Sequence, residues 1–139
     1  MQELCEYIPA VDMKRDMELV RNIMFAIEAD PRFDGTKWLS PTNPGDFGIS
    51  DHSMEELNYH LAMLIDEGFL IGKVPPLGMG KNIPVIAKLT WKGHEFLDDT
   101  RDPDIWDKTK ERAKGLTSVG VAFIWEIAKA EIKTRLHLP

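Results

Sequence analysis

Two residues stand at a spacing that could serve metal chemistry. Glu56 and His60 lie four positions apart in the stretch EELNYHLAMLIDEGFLIG (55–72). On a helix this spacing places both side chains on one face, as two ligands of one ion require. No third ligand follows at a diagnostic spacing, and the chain has a single cysteine, Cys5. We therefore expect no metal site and no cofactor, and we interpret His60 as a residue at the border of the core.

Catalytic motifs are not evident elsewhere in the sequence. None of the four serines lies in a nucleophile elbow. The loop Gly78-Met79-Gly80-Lys81 resembles a phosphate-binding loop, but it lacks the full spacing and does not open a helix. We therefore expect a protein that is not an enzyme and that has no small-molecule substrate.

Lysine and arginine side chains are the candidates for contact with nucleic-acid phosphates. Some lie on or beside a loop between two expected strands, and the others form the dense run KTKERAK. A solvated surface whose charges favour the helix C-terminus is the alternative interpretation, and both stay open. The candidates are Lys73, Lys81, Lys88, Lys108, Lys110, Arg112 and Lys114.

The stretch that holds Glu56 and His60 is expected to form a helix. Ser53 followed three residues later by Glu56 is a capping-box pattern, and Gly68 is a natural end. The outward positions that could contact a partner are Asn58, Tyr59, Ala62 and Met63. In DNA recognition, Asn58 would pair with adenine and Tyr59 would contact a phosphate. The neighbouring acidic residues would repel phosphates, which favours a protein partner or a second copy of the chain.

The order of the expected elements indicates a fold class. A first helix covers about residues 14–29, with Asp12 as its N-cap. The long connection that follows includes Trp38-Leu39 and Phe47–Ile49 as short strand pieces, and strands are expected at Phe69–Val74 and Ile83–Leu89. Helix, strand, loop and strand in this order are typical of a winged helix-turn-helix, in which the helix is the recognition helix and the loop is the wing.

Helices are expected over the rest of the chain. Thr90 and Asp102 are the N-caps expected for two of them. A last helix should cover about residues 118–136, capped by Thr117 or Ser118. Its expected apolar stripe consists of Ile124, Ile127 or Ala128, Ile132 and Leu136. The aromatic residues expected to pack these helices are Trp91, Phe96, Trp106, Phe123 and Trp125, and one left exposed would mark a partner surface.

Several stretches resemble a family of small proteins of unknown function that bacteria and their phages carry. They include MKRDMELVRNIM (13–24), residues 55–71 and LTWKGHEFLDDTRDPDIWDKTKE (89–111), in which LTWxGHxFLD and IW form a specific signature. The resemblance implies a winged-helix-like fold and frequent residence in prophages, but no established activity. Because members begin near MKRDM, Met13 resembles the usual initiator and residues 1–12 resemble an N-terminal extension.

The charge distribution separates two halves of the chain. Residues 1–70 contain 5 Lys/Arg and 14 Asp/Glu, whereas residues 71–139 contain 12 Lys/Arg and 9 Asp/Glu. Phosphate contacts are therefore expected mainly in the second half.

No apolar stretch approaches the roughly 20 residues that a membrane span needs. A secretory signal has basic residues ahead of its apolar segment. The start MQELCEYIPAVD has none before its apolar positions. We therefore expect a cytoplasmic protein that does not contact a membrane.

Taken together, the residues predict an α+β fold: a winged helix-turn-helix core with additional C-terminal helices. We expect one domain over residues 13–139, with its core at 13–90 and its added helices at 91–139. The function we favour is macromolecular binding by a prophage-type protein, through a protein partner or dimerisation. The alternative is a DNA-binding transcriptional regulator that uses the wing and the basic residues 108–114.

Overall fold

A computed structural model describes residues 14–41, 47, 49, 51–75, 83–115 and 120–139. Its elements, in chain order, are helices α1 (Met17–Ala29) and α2 (Met54–Asp66), strands β1 (Leu70–Lys73) and β2 (Val85–Leu89), and helices α3 (Trp91–Thr100), α4 (Pro103–Ala113) and α5 (Val121–Arg135). Contacts divide the chain into two compact units, the first ending at Leu89 and the second beginning at Thr90. The α+β class is confirmed. The expected extension at 1–12 and Lys81 lie outside the described residues.

Helix α1 begins later than the sequence indicated. Asp16, and not Asp12, is the N-cap, since its Oδ1 accepts the backbone N–H groups of Glu18 and Leu19 at 3.0 and 3.1 Å. Such a cap satisfies donors that the first turn of a helix leaves unpaired. The side chains of α1 that are buried in the core are Leu19, Val20, Ile23, Met24 and Ile27.

Helix α2 begins with the predicted capping box. The backbone N–H of Glu56 donates to Ser53 Oγ at 3.1 Å, and the N–H of Ser53 donates to Glu56 Oε1 at 3.1 Å. The Ser53 N–H is also the main reason that the pKa of the Glu56 carboxyl lies below its ordinary value. Gly68 follows the helix at a φ of +83°, a conformation that glycine adopts without strain.

The two strands form an antiparallel pair in the first unit. Leu70 lies opposite Leu89 and Ile71 opposite Lys88, with an irregularity between Ile71 and Gly72. Gly72 is closely surrounded, because a Cβ there would lie 2.6 Å from the Val85 carbonyl oxygen and 2.9 Å from Ile65 Cδ1. Only a residue without a side chain fits this contact between β1, β2 and α2.

The connection between α1 and α2 adds a third piece to the sheet. Gly35 N–H donates to the Ala87 carbonyl at 3.0 Å, and Leu39 and Ile86 exchange two backbone hydrogen bonds at 2.9 and 2.8 Å. The strand piece expected at Trp38-Leu39 is therefore present as a bridge beside β2. Gly35 and Leu39 of the connection are thus held against β2 by backbone hydrogen bonds. Phe47 and Ile49, the described residues of the second expected piece, are not in a strand.

The second unit consists of α3, α4 and α5. Thr90 Oγ1 accepts the Gly93 N–H at 2.9 Å and caps α3, while Asp102 caps α4 ahead of Pro103, so both predicted caps are confirmed. Helix α5 begins at Val121, after Gly120, which makes no side-chain cap bond. The predicted start near 118 was too early, and Thr117 and Ser118 lie outside the described residues.

The aromatic and apolar residues of the second unit do not all pack as predicted. Trp106 and Phe96 are buried, and the Trp125 indole N–H donates to Asp99 Oδ2 at 2.7 Å. Trp91, in contrast, is 81% exposed, and Phe123 is also exposed. The apolar stripe of α5 does not reach Leu136, which is the C-cap of the helix and is exposed. In the described part of the chain, no helix is long and apolar enough to cross a membrane.

Candidate functional sites

The outward side of α2 is acidic and carries one exposed aromatic ring. Tyr59 is 40% exposed, and Glu55 and Asp66 are exposed on the same helix. Ala62 and Met63 are half-buried, so they offer less surface than the sequence indicated. We call the residues Glu55, Tyr59, Ala62, Met63 and Asp66 the α2 surface.

Asn58 is half-buried, like Ala62 and Met63. Its Oδ1 is buried and, among the described residues, has no hydrogen-bond partner. An enclosed amide oxygen cannot reach the edge of a base, because base contacts require an accessible donor and acceptor pair.

His60 is buried and uses both of its ring nitrogens. The backbone N–H of Asp16 can only donate, so Nε2 accepts it at 3.0 Å, whereas Nδ1 donates to the Glu56 carbonyl oxygen at 2.8 Å. This fixes the tautomer with its proton on Nδ1 and links the start of α1 to α2. Neither nitrogen has a lone pair left for a metal ion, and the described residues contain no group of three metal-binding side chains. His60 lies inside the core, deeper than predicted.

The basic residues at 108–114 all have acidic partners. We call Lys108, Lys110, Arg112 and Lys114 the paired run. Three of these cations pair along α4 at separations of three or four residues, with nitrogen–oxygen distances of 3.4 to 3.8 Å. Arg112 Nε instead lies 2.6 Å from an oxygen of Glu131, a buried carboxylate on α5. Each cation of this run therefore has a carboxylate beside it, in three cases through an exposed pair.

A different basic surface lies on the exposed side of the small sheet. We call Trp38, Ile71, Lys73 and Lys88 the outer sheet face. Trp38 and Ile71 are 49% and 42% exposed, and Lys73 Nζ lies 4.7 Å from the centroid of the Trp38 ring. Within the described part of the chain, neither lysine forms an ion pair with a carboxylate. The face therefore combines an exposed aromatic ring with two available positive charges.

Sequence reasoning found only part of the outer sheet face. Lys73 and Lys88 were candidates for phosphate contact, but Trp38 and Ile71 were assigned only to strands. Their exposure depends on which side of the sheet each residue occupies, and the unpaired Ala87 opposite the Ile71–Gly72 step interrupts the alternation along β2. The one available signal was the absence of acidic residues from both strands.

A cleft of about 270 Å³ lies in the second unit, and three aspartates and Arg135 contribute to its lining. Each carboxylate already has a partner in the chain. Asp98 pairs with Arg101 at 3.1 Å, Asp99 accepts the Trp125 indole N–H, and Asp102 both caps α4 and pairs with Arg135 at 3.1 Å. Backbone N–H groups of Ile105 and Asp104 lower the pKa of Asp102 below its ordinary value. The polar groups of this cleft therefore stabilise the helices around it.

Comparison with known proteins gives a family but no activity. The model of a family described as hypothetical proteins, DUF2513, matches residues 14–120. An uncharacterised protein of Haemophilus influenzae is 29% identical over 102 residues, which cover 73% of this chain and 80% of that protein. No solved structure matches the chain significantly.

Proposed function

The chain belongs to the DUF2513 family of hypothetical proteins, and we propose that it acts by binding another protein through the α2 surface. One observation carries this proposal: an exposed Tyr59 stands on a helix whose exposed neighbours, Glu55 and Asp66, are acidic. Exposed tyrosines supply large contact area at low entropic cost, and protein interfaces are enriched in them. The acidic rim favours a partner with a basic surface.

A winged-helix core forms part of the proposal. Support comes from the order of α2, β1, a loop and β2, and from the bridge beside β2. In that arrangement α2 stands where a recognition helix would be, but its charge fits a protein better than DNA. The residence in prophages that the resemblance implies is an expectation, and the genes that flank family members would test it.

A matched pair of variants tests the α2 surface. Tyr59→Asp places a charge in the proposed interface, whereas Ile71→Asp places the same charge at an equally exposed position on the outer sheet face. Affinity capture from bacterial lysate, followed by mass spectrometry, should recover a partner with the wild type and with Ile71→Asp, but not with Tyr59→Asp. Sedimentation of the wild type at rising concentrations identifies the case in which the partner is a second copy.

Equal recovery of partners by Tyr59→Asp and the wild type would contradict the proposal. Circular dichroism of each variant controls for folding. Because Tyr59 is partly exposed and lies on the surface of α2, its replacement should leave the helical signal intact.

The alternative, a DNA-binding regulator that uses the wing and residues 108–114, is the weaker proposal. It predicts binding to duplex DNA that weakens steeply with salt. The ion pairs of the paired run reduce its support, because a phosphate would have to displace a carboxylate from each cation. Fluorescence polarisation with a pool of labelled duplexes, at low and near-physiological salt, tests it directly.

A further inference from the structure

We infer that the outer sheet face binds single-stranded nucleic acid, with Trp38 stacking on a base and Lys73 and Lys88 contacting phosphates. This inference uses a different surface from the α2 surface and does not rest on the function proposed above. Its basis is the composition of the face, which offers an exposed aromatic ring beside two lysines. Proteins that bind single strands without sequence preference combine the same two features.

Backbone hydrogen bonds to the sheet position the segment that carries Trp38. Leu39, the neighbour of Trp38, exchanges two backbone hydrogen bonds with Ile86 of β2. Lys73 lies opposite Val85 on the neighbouring strand, and its ammonium group reaches the Trp38 ring. This contact restricts the lysine before any ligand arrives, so less side-chain entropy is lost on binding. Trp38 as a whole residue remains 49% exposed with this lysine beside it.

The charges on the face are available and of one sign. Strands β1 and β2 contain two lysines and no acidic residue. Along β1 the exposed residues are Ile71 and Lys73, two positions apart, so they share one side of the sheet. Lys88 lies opposite Ile71 and is also exposed, which places both lysines on that side. A phosphate approaching this side meets two ammonium groups without having to displace a carboxylate of the described residues. The apolar Ile71 lies opposite Lys88 and two positions from Lys73, so it can contact a sugar or base.

A single strand fits this face better than a duplex does. Residues 1–70 carry a net charge of −9, so a rigid duplex would bring many phosphates near repelling carboxylates. A flexible single strand can place one or two nucleotides on a small face and keep the rest of its backbone away. Stacking also requires an unpaired base, because the bases of a duplex already stack on one another.

Fluorescence polarisation of a short labelled oligothymidine tests the inference at several salt concentrations. The wild type should bind at low salt, and Trp38→Ala should weaken binding about tenfold or more. Lys73→Gln and Lys88→Gln should each reduce the slope of log affinity against log salt by about 0.7, the value for one phosphate contact on a single strand.

Two matched controls come from the second unit. Trp91→Ala removes a tryptophan that is more exposed than Trp38, and Lys108→Gln removes a lysine that pairs with Asp104. Both should leave the affinity and the salt slope unchanged. Trp38→Phe, which keeps an aromatic ring, should restore most of the affinity and so separate stacking from a folding defect. Thermal melting of every variant completes that control.

Four results with nucleic acid would overturn the inference, and a fifth result comes from a peptide. They are the absence of binding at low salt, equal losses from Trp38→Ala and Trp91→Ala, equal salt slopes for Lys73→Gln and Lys108→Gln, and binding of a duplex as tight as that of the single strand. A polyglutamate peptide that binds as tightly, and with the same dependence on Trp38, would overturn it as well and assign the face to an acidic protein.

Discussion

The outer sheet face and the paired run present positive charge in opposite ways. The paired run is the densest basic segment of the sequence, yet each of its four cations lies beside a carboxylate. The outer sheet face has only two lysines, and neither forms an ion pair within the described residues. The density of lysines in a sequence therefore does not measure how much charge a ligand can reach.

Secondary structure explains the difference. On a helix, residues three and four positions apart are neighbours, so the acidic residues within α4 reach its lysines. In a strand, the neighbours are the residues opposite and those two positions away. Because β1 and β2 contain no acidic residue, neighbours of this kind cannot neutralise Lys73 or Lys88.

The largest expected effect is a loss of stability from Gly72→Ala, which disrupts the sheet that carries the exposed lysines. The added Cβ would lie 2.6 Å from a backbone oxygen that cannot easily move. We expect a loss of about 3 kcal/mol in the free energy of unfolding, the upper end of the range for overpacking. Urea denaturation measures it. Gly115→Ala is the control, since its Cβ would meet no atom within 4 Å, and an equal loss there would contradict the explanation.

A smaller effect is expected within the paired run. Arg112→Gln leaves the buried Glu131 carboxylate without its cation, which should cost about 2 kcal/mol. Lys114→Gln removes an exposed pair with Glu111 and should cost less than about 0.5 kcal/mol. Denaturation of the two variants side by side tests whether the run is partly structural. Equal stability would show that the Arg112–Glu131 pair has no special role.

A third change should make the two regions more alike. Asp107→Asn together with Glu111→Gln removes the partners of Lys110 and Lys114. The variant should bind oligothymidine severalfold more tightly than the wild type at low salt, with a steeper salt dependence. Fluorescence polarisation measures both quantities. An unchanged affinity would contradict the view that ion pairs within α4 keep the paired run from binding a ligand.

The smallest expected effect is a loss of stability at low pH. It involves one helix cap in each unit. The pKa values of Glu56 and Asp102 are lowered, mainly by backbone N–H groups that donate to their carboxylates. Each group therefore stabilises the fold above its ordinary pKa, about 4 for both residue types, and this contribution is lost as the pH falls through the lowered value. The melting temperature should fall with acid in this range. For Glu56→Gln the fall should be smaller, and an unchanged pH dependence would contradict the assignment.

Local chemistry made some of these features predictable from the sequence. The caps at Ser53, Thr90 and Asp102 depend on residues within three positions, and the helices begin where predicted. The cap of α1 was misplaced because two aspartates were available. The hydrogen bond from Asp16 to His60, 44 positions away, is found only at the actual cap. A contact at such a distance leaves no periodic signal.

The candidate sites were less predictable than the fold. The pairs within α4 were readable from their helical spacing, but the pair between Arg112 and Glu131 joins residues on different helices. The exposure of Trp38 and Trp91 depends on tertiary packing, since tryptophans in such settings are more often covered. The sequence thus identified where charge is dense, and the structure was needed to identify where it is accessible.

The hydrogen bond from the Asp16 backbone to His60 has a consequence for hydrogen exchange. Amides at the start of a helix ordinarily exchange quickly, because they have no partner within the helix and face water. The Asp16 amide instead donates to a buried ring on another helix. Its deuterium uptake should therefore follow the separation of α1 from α2, and not the fraying of α1. This one amide would report the opening of the first unit.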